Sequence, residues 1–350
     1  MRFNRSWLGV HVAPCERQAA SGKYWEFIMG KPFPIGLLCV LTLMSASCRR
    51  NEHDPNRTSK GKIGISVLTM TNPFFKEIAD VFKAEMEKHR YEVIVVDGEK
   101  DLSKQRNQVQ DFLVQKVSAI VLCPCKSKGI GSAIQQANKA GVPVFTADIA
   151  CLDEDAKVVT HVATDNYAGG KQAAQAMIEA LGEPGGKILQ LDFQEVESCI
   201  LRVKGFREVL DEHNSNRKMG HIKVVKELPC DGDKERGYSA TVDALQTHPD
   251  LVGIFAINDP AALGARAALE KAGKTEQVKI IGFDGQPEGK KAILDGKIYA
   301  DPIQHPDLIA RKTADAVVRY FRGEQVKKNI LIPTNLYRKA DAEKDAALKK

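Results

Sequence analysis

Polar side chains that could hold a small molecule stand directly after several apolar, β-branched segments of the chain. Because the carboxyl ends of parallel strands meet at one edge of a sheet, where ligands bind in open α/β sheets, we expect these side chains to surround one ligand. Each could instead cap the helix that follows its strand, as Asp and Asn often do, but the set as a whole favours binding. The residues are Asp148 after residues 142–146, Arg202 beyond 187–191, Asn258 after 251–256, Asp284 after 279–282 and Gln304 after 298–301.

The carboxylates of Asp148 and Asp284 suggest two kinds of chemistry. A pair of carboxylates can serve as general acid and base in a glycosidase. The same groups can accept hydrogen bonds from the hydroxyls of a ligand that is released unchanged, and charged partners make the stronger bonds. No nucleophile with an accompanying base stands out in the sequence. We therefore predict binding without catalysis and without a cofactor, with a carbohydrate-active enzyme as the alternative.

A polar turn with two aromatic residues follows the first strong apolar segment, Lys62–Leu68, and precedes a helical pattern over Phe74–Lys88. Asn72 in this turn suits the N-cap position of the helix. The spacing therefore puts Asn72, Phe74 and Phe75 at the carboxyl end of a strand, beside the ligand. The alternative is that both Phe side chains belong to the core of the helix.

Strand-like and helix-like segments alternate from Lys62 onwards, which predicts βα units with right-handed crossovers in an α/β fold. Most strand candidates are continuous β-branched runs, as expected of strands that are buried on both faces of a parallel sheet. They are too many for one compact sheet, and the pattern repeats after about Asp165, so we predict two similar lobes around a shared cleft. The candidates are Lys62–Leu68, Glu92–Val96, Ala119–Leu122, Val142–Thr146, Val158–Val162, Lys187–Leu191, Lys223–Glu227, Leu251–Ala256 and Lys279–Gly282.

Four motifs occur in order along the chain: Thr71–Phe75, Thr164–Gly170, Phe255–Asp259 followed by Ala262–Ala265, and Ile281–Gly285. Together they resemble the periplasmic sugar-binding proteins of ABC importers, which are type I periplasmic binding proteins, and within them the ribose-binding-protein-like group. The resemblance extends from Lys62 to about Lys339. It implies two Rossmann-like lobes with parallel sheets, joined by a three-crossing hinge (periplasmic binding protein-like I), that close on a sugar.

By position, the resemblance assigns the polar residues named above to sugar hydroxyls and the two aromatic residues to the faces of the sugar ring. The chain departs from the family pattern at Ile149, where ribose binders have an Arg, and at Gly232, where they have an aromatic residue. These departures imply a less polar and roomier pocket, so the ligand could be another pentose, a hexose, a polyol such as inositol or a furanosyl signalling molecule. The assigned residues are Asn72, Asp148, Arg202, Asn258, Asp284 and Gln304 for the hydroxyls, and Phe74 and Phe75 for the ring faces.

The beginning of the chain resembles a bacterial lipoprotein signal. A basic segment is followed by the apolar run Ile35–Met44 and by the small residues before Cys48, so Cys48 is the predicted lipidation site. The apolar run is too short to span a membrane, and Met29 is an alternative start of the protein. We therefore expect a periplasmic protein that is held at the membrane only through a lipid anchor.

The same observations predict the domain organisation and the partners. The formal net charge is only +6, too small and too dispersed to predict nucleic acid binding. The implied partners are a small sugar or polyol and the membrane subunits of an ABC importer. A chemoreceptor or sensor is the alternative partner. We expect the protein itself to be a monomer. The predicted ranges are a leader at 1–47, a tether at 48–61, an N-terminal lobe at 62–162 plus 305–333, a C-terminal lobe at 163–304 plus 334–340, and a polar tail at 341–350.

Five cysteines lie beyond the leader and Cys48, and in an exported protein paired disulfides are the first interpretation. Neighbouring parallel strands could bring Cys199 to Cys230, and Cys151 to Cys123 or Cys125. Buried free thiols are the alternative. A metal site is the third possibility, but no ligand spacing such as CxxC supports it, so no metal is predicted.

Overall fold

A computed structural model describes residues 58–349, which form two six-stranded sheets flanked by helices. The leader, Cys48 and most of the tether lie outside the described residues. The predicted α/β fold with two lobes is confirmed. Among residues 58–349, no helix has the length and the apolarity that a membrane crossing requires.

Lobe one is the first sheet together with the helices that pack on it. Its strands follow the order β2-β1-β3-β4-β5-β11, and all neighbours are parallel. Both faces are covered by helices, so strands such as β3 and β4 are buried throughout, which explains their uninterrupted apolar sequences. The elements are β1 Gly61–Val67, α1 Pro73–Lys88, β2 Tyr91–Asp97, α2 Leu102–Val114, β3 Ala119–Leu122, α3 Gly131–Lys139, β4 Val144–Ala147, β5 His161–Thr164, α9 Pro306–Phe321 and β11 Asn329–Ile332.

Lobe two is the second sheet with its own helices. Its strands follow the order β7-β6-β8-β9-β10-β12, and only the pair β10–β12 is antiparallel. The elements are α4 Asn166–Leu181, β6 Gly186–Asp192, α5 Glu197–Ser215, β7 Ile222–Pro229, α6 Lys234–Thr247, β8 Leu251–Ala256, α7 Asp259–Ala272, β9 Lys279–Ile281, α8 Pro287–Leu294, β10 Ala300–Ile303, β12 Asn335–Arg338 and α10 Lys339–Ala342.

The chain passes between the lobes three times. The passages follow β5 at Asp165, follow β10 at residues 304–305, and join β11 to β12 at residues 333–334. Thr334 Oγ1 donates to the carbonyl oxygen of Ile303 over 2.7 Å, which ties the second and third passages together. The hinge is therefore a bundle of neighbouring segments and not a single flexible linker.

Two strands of the structure, β11 and β12, are absent from the strand candidates of the sequence, and β10 is anticipated only in part, by the segment 298–301 before Gln304. They are short, and β10 contains Pro302, a residue that strands usually avoid because it cannot donate a ladder hydrogen bond. The structure accommodates Pro302 next to the sheet edge, where β10 pairs with the edge strand β12. These strands matter because two of the three passages begin at their ends.

The disulfide predicted between Cys151 and Cys123 or Cys125 is not formed, and all three thiols are free. Cys123 continues the alternation of β3 and packs with the apolar cluster on the α1 side of the sheet, together with Cys125. Cys151 packs with the cluster on the opposite side, which contains Ile120 of the same strand. Because successive residues of a strand point to opposite faces, the sheet separates the two sets of thiols.

The disulfide predicted between Cys199 and Cys230 is not formed either, and both thiols are free. Cys230 is buried and its Sγ lies 3.4 Å from the carbonyl oxygen of Asp192, to which it donates. Cys199 lies in the first turn of α5 and lines the cavity between the lobes, which Cys230 does not reach. The two residues follow neighbouring strands in the sheet, but the side chain of Cys199 faces the cavity and that of Cys230 is buried against the Asp192 backbone.

Two glycines allow α4 and α5 to pack closely. A methyl group at Gly170 would overlap the carbonyl oxygen of Arg202, and one at Gly205 would overlap the carbonyl oxygen of Tyr167. Each glycine therefore lets the backbone of the neighbouring helix approach directly. This contact sets the position of Arg202, which α5 carries into the cleft.

We expect Gly170→Ala to lower the free energy of unfolding by about 1–3 kcal/mol, because the added methyl group cannot be accommodated without moving backbone. Urea denaturation followed by circular dichroism measures the loss. The matched control is Gln175→Ala, an exposed position of the same helix, which should stay within about 0.5 kcal/mol of the parent. Equal midpoints for the two variants would contradict the close packing of α4 on α5.

Candidate ligand-binding site

One cavity of about 650 Å³ lies between the two lobes and is lined by all eight residues assigned from the sequence. Lobe one contributes four of them, lobe two contributes three, and the remaining one stands on the second passage between the lobes. They are Asn72, Phe74, Phe75 and Asp148 from lobe one, Arg202, Asn258 and Asp284 from lobe two, and Gln304 from the passage.

The strongest electrostatic feature of the cavity is the buried ion pair of Arg202 with Asp284. Arg202 Nη1 lies 3.0 Å from Asp284 Oδ1 and also donates to the carbonyl oxygen of Ile257 over 2.6 Å. Nε donates to Asn166 Oδ1 over 2.8 Å, and the guanidinium lies 3.9 Å from the centre of the Phe283 ring. These contacts hold the arginine in one orientation.

Asp284 is held by three side chains. Besides Arg202, it accepts hydrogen bonds from Gln304 Nε2 over 2.7 Å and from Gln286 Nε2 over 3.2 Å. Its backbone φ is +103°, an uncommon value for a residue other than glycine. Burial raises the pKa of Asp284, while Arg202 and the two glutamines oppose the rise. Gln304 keeps its Oε1 without a protein partner, so an acceptor is left for a ligand.

Asp148 differs from Asp284 because its carboxylate lacks a matching donor. The side chain is only 3% exposed, and Oδ1 has no hydrogen-bond partner. Burial raises the pKa of Asp148 to about 7, and the repulsion from Asp284 and Glu197 adds to this effect, although Arg202 opposes it. A buried acceptor without a donor is costly, and a ligand hydroxyl that reached it would remove that cost.

Asn72 and Asn258 cap helices and also line the cavity. Phe74 N donates to Asn72 Oδ1 over 3.0 Å, and Ala261 N donates to Asn258 Oδ1 over 3.1 Å. Asn258 Nδ2 donates to the carbonyl oxygen of Gly232 over 3.0 Å. In contrast, Asn72 Nδ2 makes no hydrogen bond to any described residue and remains available as a donor. The capping and binding interpretations of these residues are therefore compatible.

The two aromatic residues likewise belong to a helix core and also line the cavity. Phe74 and Phe75 are buried in the cluster that α1 forms on its sheet, and both line the cavity. Their ring centres are 5.2 Å apart and their planes make an angle of 87°. Such an edge-to-face pair presents apolar surface in two directions.

Both departures from the family pattern line the cavity. Ile149 is buried beside Asp148, so the side chain that follows the unpaired carboxylate is apolar. Gly232 has a φ of +61°, and a Cβ there would lie 2.8 Å from Asn258 Nδ2. A larger residue at 232 would therefore be strained and would disturb Asn258.

Phe193 and Lys100 are among the residues of the cavity wall that the sequence analysis did not assign. Phe193 follows β6 directly, as the other assigned residues follow their strands, and that position could have revealed it. Lys100 lies in lobe one, but its Nζ is 3.2 Å from the carbonyl oxygen of Asp231 and 3.7 Å from Asp233 Oδ2 in lobe two. No sequence signal predicts such a contact across the cleft. Within residues 58–349, no group of His, Cys, Asp and Glu side chains is arranged to hold a metal ion.

Two lobes with a polar cavity between them and a three-passage hinge are the architecture of periplasmic binding proteins. The sequence matches the family model of the periplasmic binding protein domain over residues 63–325. The chain belongs to this family, whose members are solute-binding proteins and not enzymes. Membership of the family implies a periplasmic location.

Three similar proteins illustrate the relationship. The ribose import binding protein of Salmonella typhimurium is 34% identical over 287 residues, which cover 82% of this chain and 93% of that protein. The D-apiose import binding protein of Paraburkholderia graminis is 31% identical over 284 residues, 80% of this chain and 88% of its own length. An ABC transporter solute-binding protein from Mycobacterium smegmatis, solved with bound glycerol, has a TM-score of 0.75 at 31% identity and covers 81% of this chain and 96% of its own.

The environment of Asp148 predicts a pH-dependent stability. Because its pKa is raised in the folded protein, its contribution to stability is complete below the unfolded-state pKa of about 4 and is lost as the pH rises to about 7. Asp148→Asn removes this loss, so the ligand-free variant should gain on the order of 2–4 kcal/mol relative to the parent between pH 4 and pH 8. Thermal or urea unfolding across this pH range measures the difference.

Asp148 is not the only buried acid that makes the stability of the protein depend on pH, since burial also raises the pKa of Asp259 and of Asp301. The comparison between parent and variant isolates Asp148. Asp111→Asn, at an exposed position of α2, is the matched control and should follow the parent at every pH. A difference between Asp148→Asn and the parent that does not change with pH would count against an unpaired carboxylate.

Proposed function

We propose that this protein captures a neutral sugar or polyol in the cavity between its lobes and delivers it to the membrane subunits of an ABC importer. The observation that carries the proposal is the single cavity in which the Arg202–Asp284 pair of lobe two faces Asp148 and the Phe74–Phe75 pair of lobe one. The names of the similar proteins, which refer to ribose and D-apiose import, support it.

The hydrogen-bonding groups of the cavity match the rim of a sugar. Asp148 Oδ1 and Gln304 Oε1 are buried acceptors without protein donors, and hydroxyl groups would supply the donors. Asn72 Nδ2 is a donor that can bond a hydroxyl oxygen. Since a carboxylate or phosphate on the ligand would meet the acceptors Asp148 and Asp284, we propose that the ligand is uncharged.

The apolar part of the wall suits the C–H faces of a sugar ring. Phe74 and Phe75 approach from lobe one, and Phe193 lies on lobe two. Aromatic side chains bury large apolar areas and have well-defined orientations. We propose that the ring lies between these surfaces, with its hydroxyls directed to the polar residues.

Ile149 and Gly232 argue against assigning ribose alone. Ile149 offers no hydrogen-bond donor, and Gly232 offers no aromatic face. A ligand with a less polar edge or greater bulk fits this wall as well as ribose does. The ligand class is therefore a small pentose, hexose or polyol, and its identity is a matter for direct measurement.

A thermal-shift screen with D-ribose, D-apiose, D-allose and myo-inositol tests the proposal. A sugar present at a hundred times its dissociation constant should stabilise the protein by about 2.7 kcal/mol. Asp148→Asn should then weaken the binding of the active sugar on the order of tenfold to a hundredfold, because a charge-assisted acceptor is replaced by a mismatched amide. Isothermal titration calorimetry measures the affinity, with Asp111→Asn as the control.

Ile149→Arg provides a complementary test in the same assay. It adds a charged donor beside Asp148, so affinity for D-ribose should rise relative to a less polar sugar. Unchanged affinities in both Asp148→Asn and Ile149→Arg would mean that the sugar binds elsewhere. No stabilisation by a broad set of pentoses, hexoses and polyols would overturn the sugar class itself.

The proposal includes a lipid anchor at Cys48, supported by the signal-like sequence before it. We expect the mature protein to fractionate with membranes, to be released by detergent and to carry lipid detectable by mass spectrometry. Cys48→Ser should abolish lipid attachment without affecting sugar binding by the soluble body. Recovery of a freely soluble parent protein that was cleaved before residue 48 would overturn the anchor and leave export intact.

A further inference from the structure

The first turn of α5 lacks a capping side chain of its own. Its N-cap residue is Val196, which makes no side-chain hydrogen bond to the helix. Val196 is buried and lines the cavity between the lobes. Since the first N–H groups of a helix have no partner within the helix, an acceptor must come from elsewhere.

That acceptor comes from the opposite lobe. Glu197 N, at the first position of α5, donates to Ser127 Oγ over 2.8 Å. Ser127 N donates in return to the carbonyl oxygen of Glu195 over 2.9 Å. Beside them, Lys126 Nζ lies 3.1 Å from Glu195 Oε2, but this pair is partly exposed and contributes little by comparison.

Ser127 is fixed within lobe one, between β3 and α3. Leu152 N, from the same lobe, donates to the Ser127 carbonyl oxygen over 2.8 Å. The side chain is 1% exposed and does not line the ligand cavity. Its hydroxyl therefore belongs to the contact between the lobes and not to the ligand site.

The helix that Ser127 caps carries part of the binding site. Ser198, Cys199 and Arg202 of its first two turns line the cavity. The bonds between Ser127 and the start of α5 can exist only while the two lobes are together, since their partners belong to different lobes. Separation of the lobes would replace these bonds by water and leave the helix start without its cap.

We propose that Ser127 is a positioning residue, a helix cap supplied across the cleft that stabilises the closed arrangement of the lobes around the ligand. This inference rests on the proposed function, because it assigns Ser127 a part in retaining the ligand. Position 196 holds an apolar residue that lines the cavity and cannot cap the helix. The other lobe supplies the cap when the lobes close. Lys100 also bridges the lobes, but it lines the cavity, and the Lys126–Glu195 pair is partly exposed. Ser127 is therefore the buried residue at which closure can be tested apart from ligand contact.

The test compares Ser127→Ala with Ser132→Ala and Ser127→Thr. Ser132 is an exposed residue of the same lobe whose Oγ contacts only the carbonyl oxygen of Gly129. With whichever of D-ribose, D-apiose, D-allose and myo-inositol stabilises the parent, Ser127→Ala should raise the dissociation constant about fivefold, the usual effect of a lost cap. The increase should lie in the dissociation rate, measured by stopped-flow fluorescence.

Three readouts distinguish positioning from a merely structural role. The dissociation rate should change more than the association rate, the rank order of the four sugars should stay unchanged, and Ser127→Thr should bind like the parent. A dissociation constant equal to that of Ser132→Ala, a changed rank order, or a Ser127→Thr variant as weak as Ser127→Ala would overturn the proposal.

If none of the four sugars stabilises the parent, the sugar assignment is in question, but the cap is still tested without ligand. Hydrogen exchange at the Glu197 amide should then be severalfold faster in Ser127→Ala than in Ser132→Ala. Equal exchange rates would overturn the cap across the cleft independently of any ligand.

Discussion

The buried ion pair between Arg202 and Asp284 is the interaction on which the rest of the site depends. Charges this deeply buried must be paired and hydrogen bonded, because removal of either partner leaves an uncompensated charge. Arg202 is accordingly held by Asn166 and the carbonyl oxygen of Ile257, and Asp284 by two glutamines. Helix α5, the end of β9 and the passage at Gln304 must therefore keep fixed relative positions. The close contact of α4 with α5 at Gly170 contributes to this constraint.

Lobe one faces this buried ion pair with a carboxylate that has no protein donor. Asp148 is buried with an unpaired oxygen, and the residue after it is the apolar Ile149. Such a carboxylate destabilises the ligand-free fold at neutral pH and gains a partner only when a donor enters the cleft. Lobe two therefore carries a paired arginine and aspartate, whereas lobe one carries an acceptor without a protein donor.

Several polar groups serve structure and site at once. Asn72 and Asn258 each cap a helix with their amide oxygen and line the cavity. At the start of α5 the two requirements conflict, because Val196 faces the cavity and cannot cap. The cap then comes from Ser127 of the other lobe. A helix start at the edge of a cleft is therefore a place where folding and lobe closure become coupled.

Much of this protein is determined locally and could be predicted from the sequence. The alternation of β-branched segments with helical patterns predicts parallel α/β lobes, because a strand that is buried on both faces has a continuous apolar sequence of its own. The positions after predicted strands, together with the motifs shared with the family, identified eight residues that all line one cavity. Strands β11 and β12 could not be predicted because they are short, and β10 was anticipated only in part because Pro302 interrupts its pattern.

Only the tertiary structure decided which groups pair. The five cysteines among the described residues are free. A sheet separates Cys151 from Cys123 and Cys125, and Cys199 and Cys230 lie in different surroundings. The sequence likewise cannot reveal that Asp148 lacks a donor while Asp284 has three, since each carboxylate follows a strand in the same way. The contacts of Ser127 and Lys100 across the cleft also depend on how the lobes meet. Strand ends are set by neighbours in the chain, whereas hydrogen-bond partners are set by residues that only the packed fold brings within 3 Å.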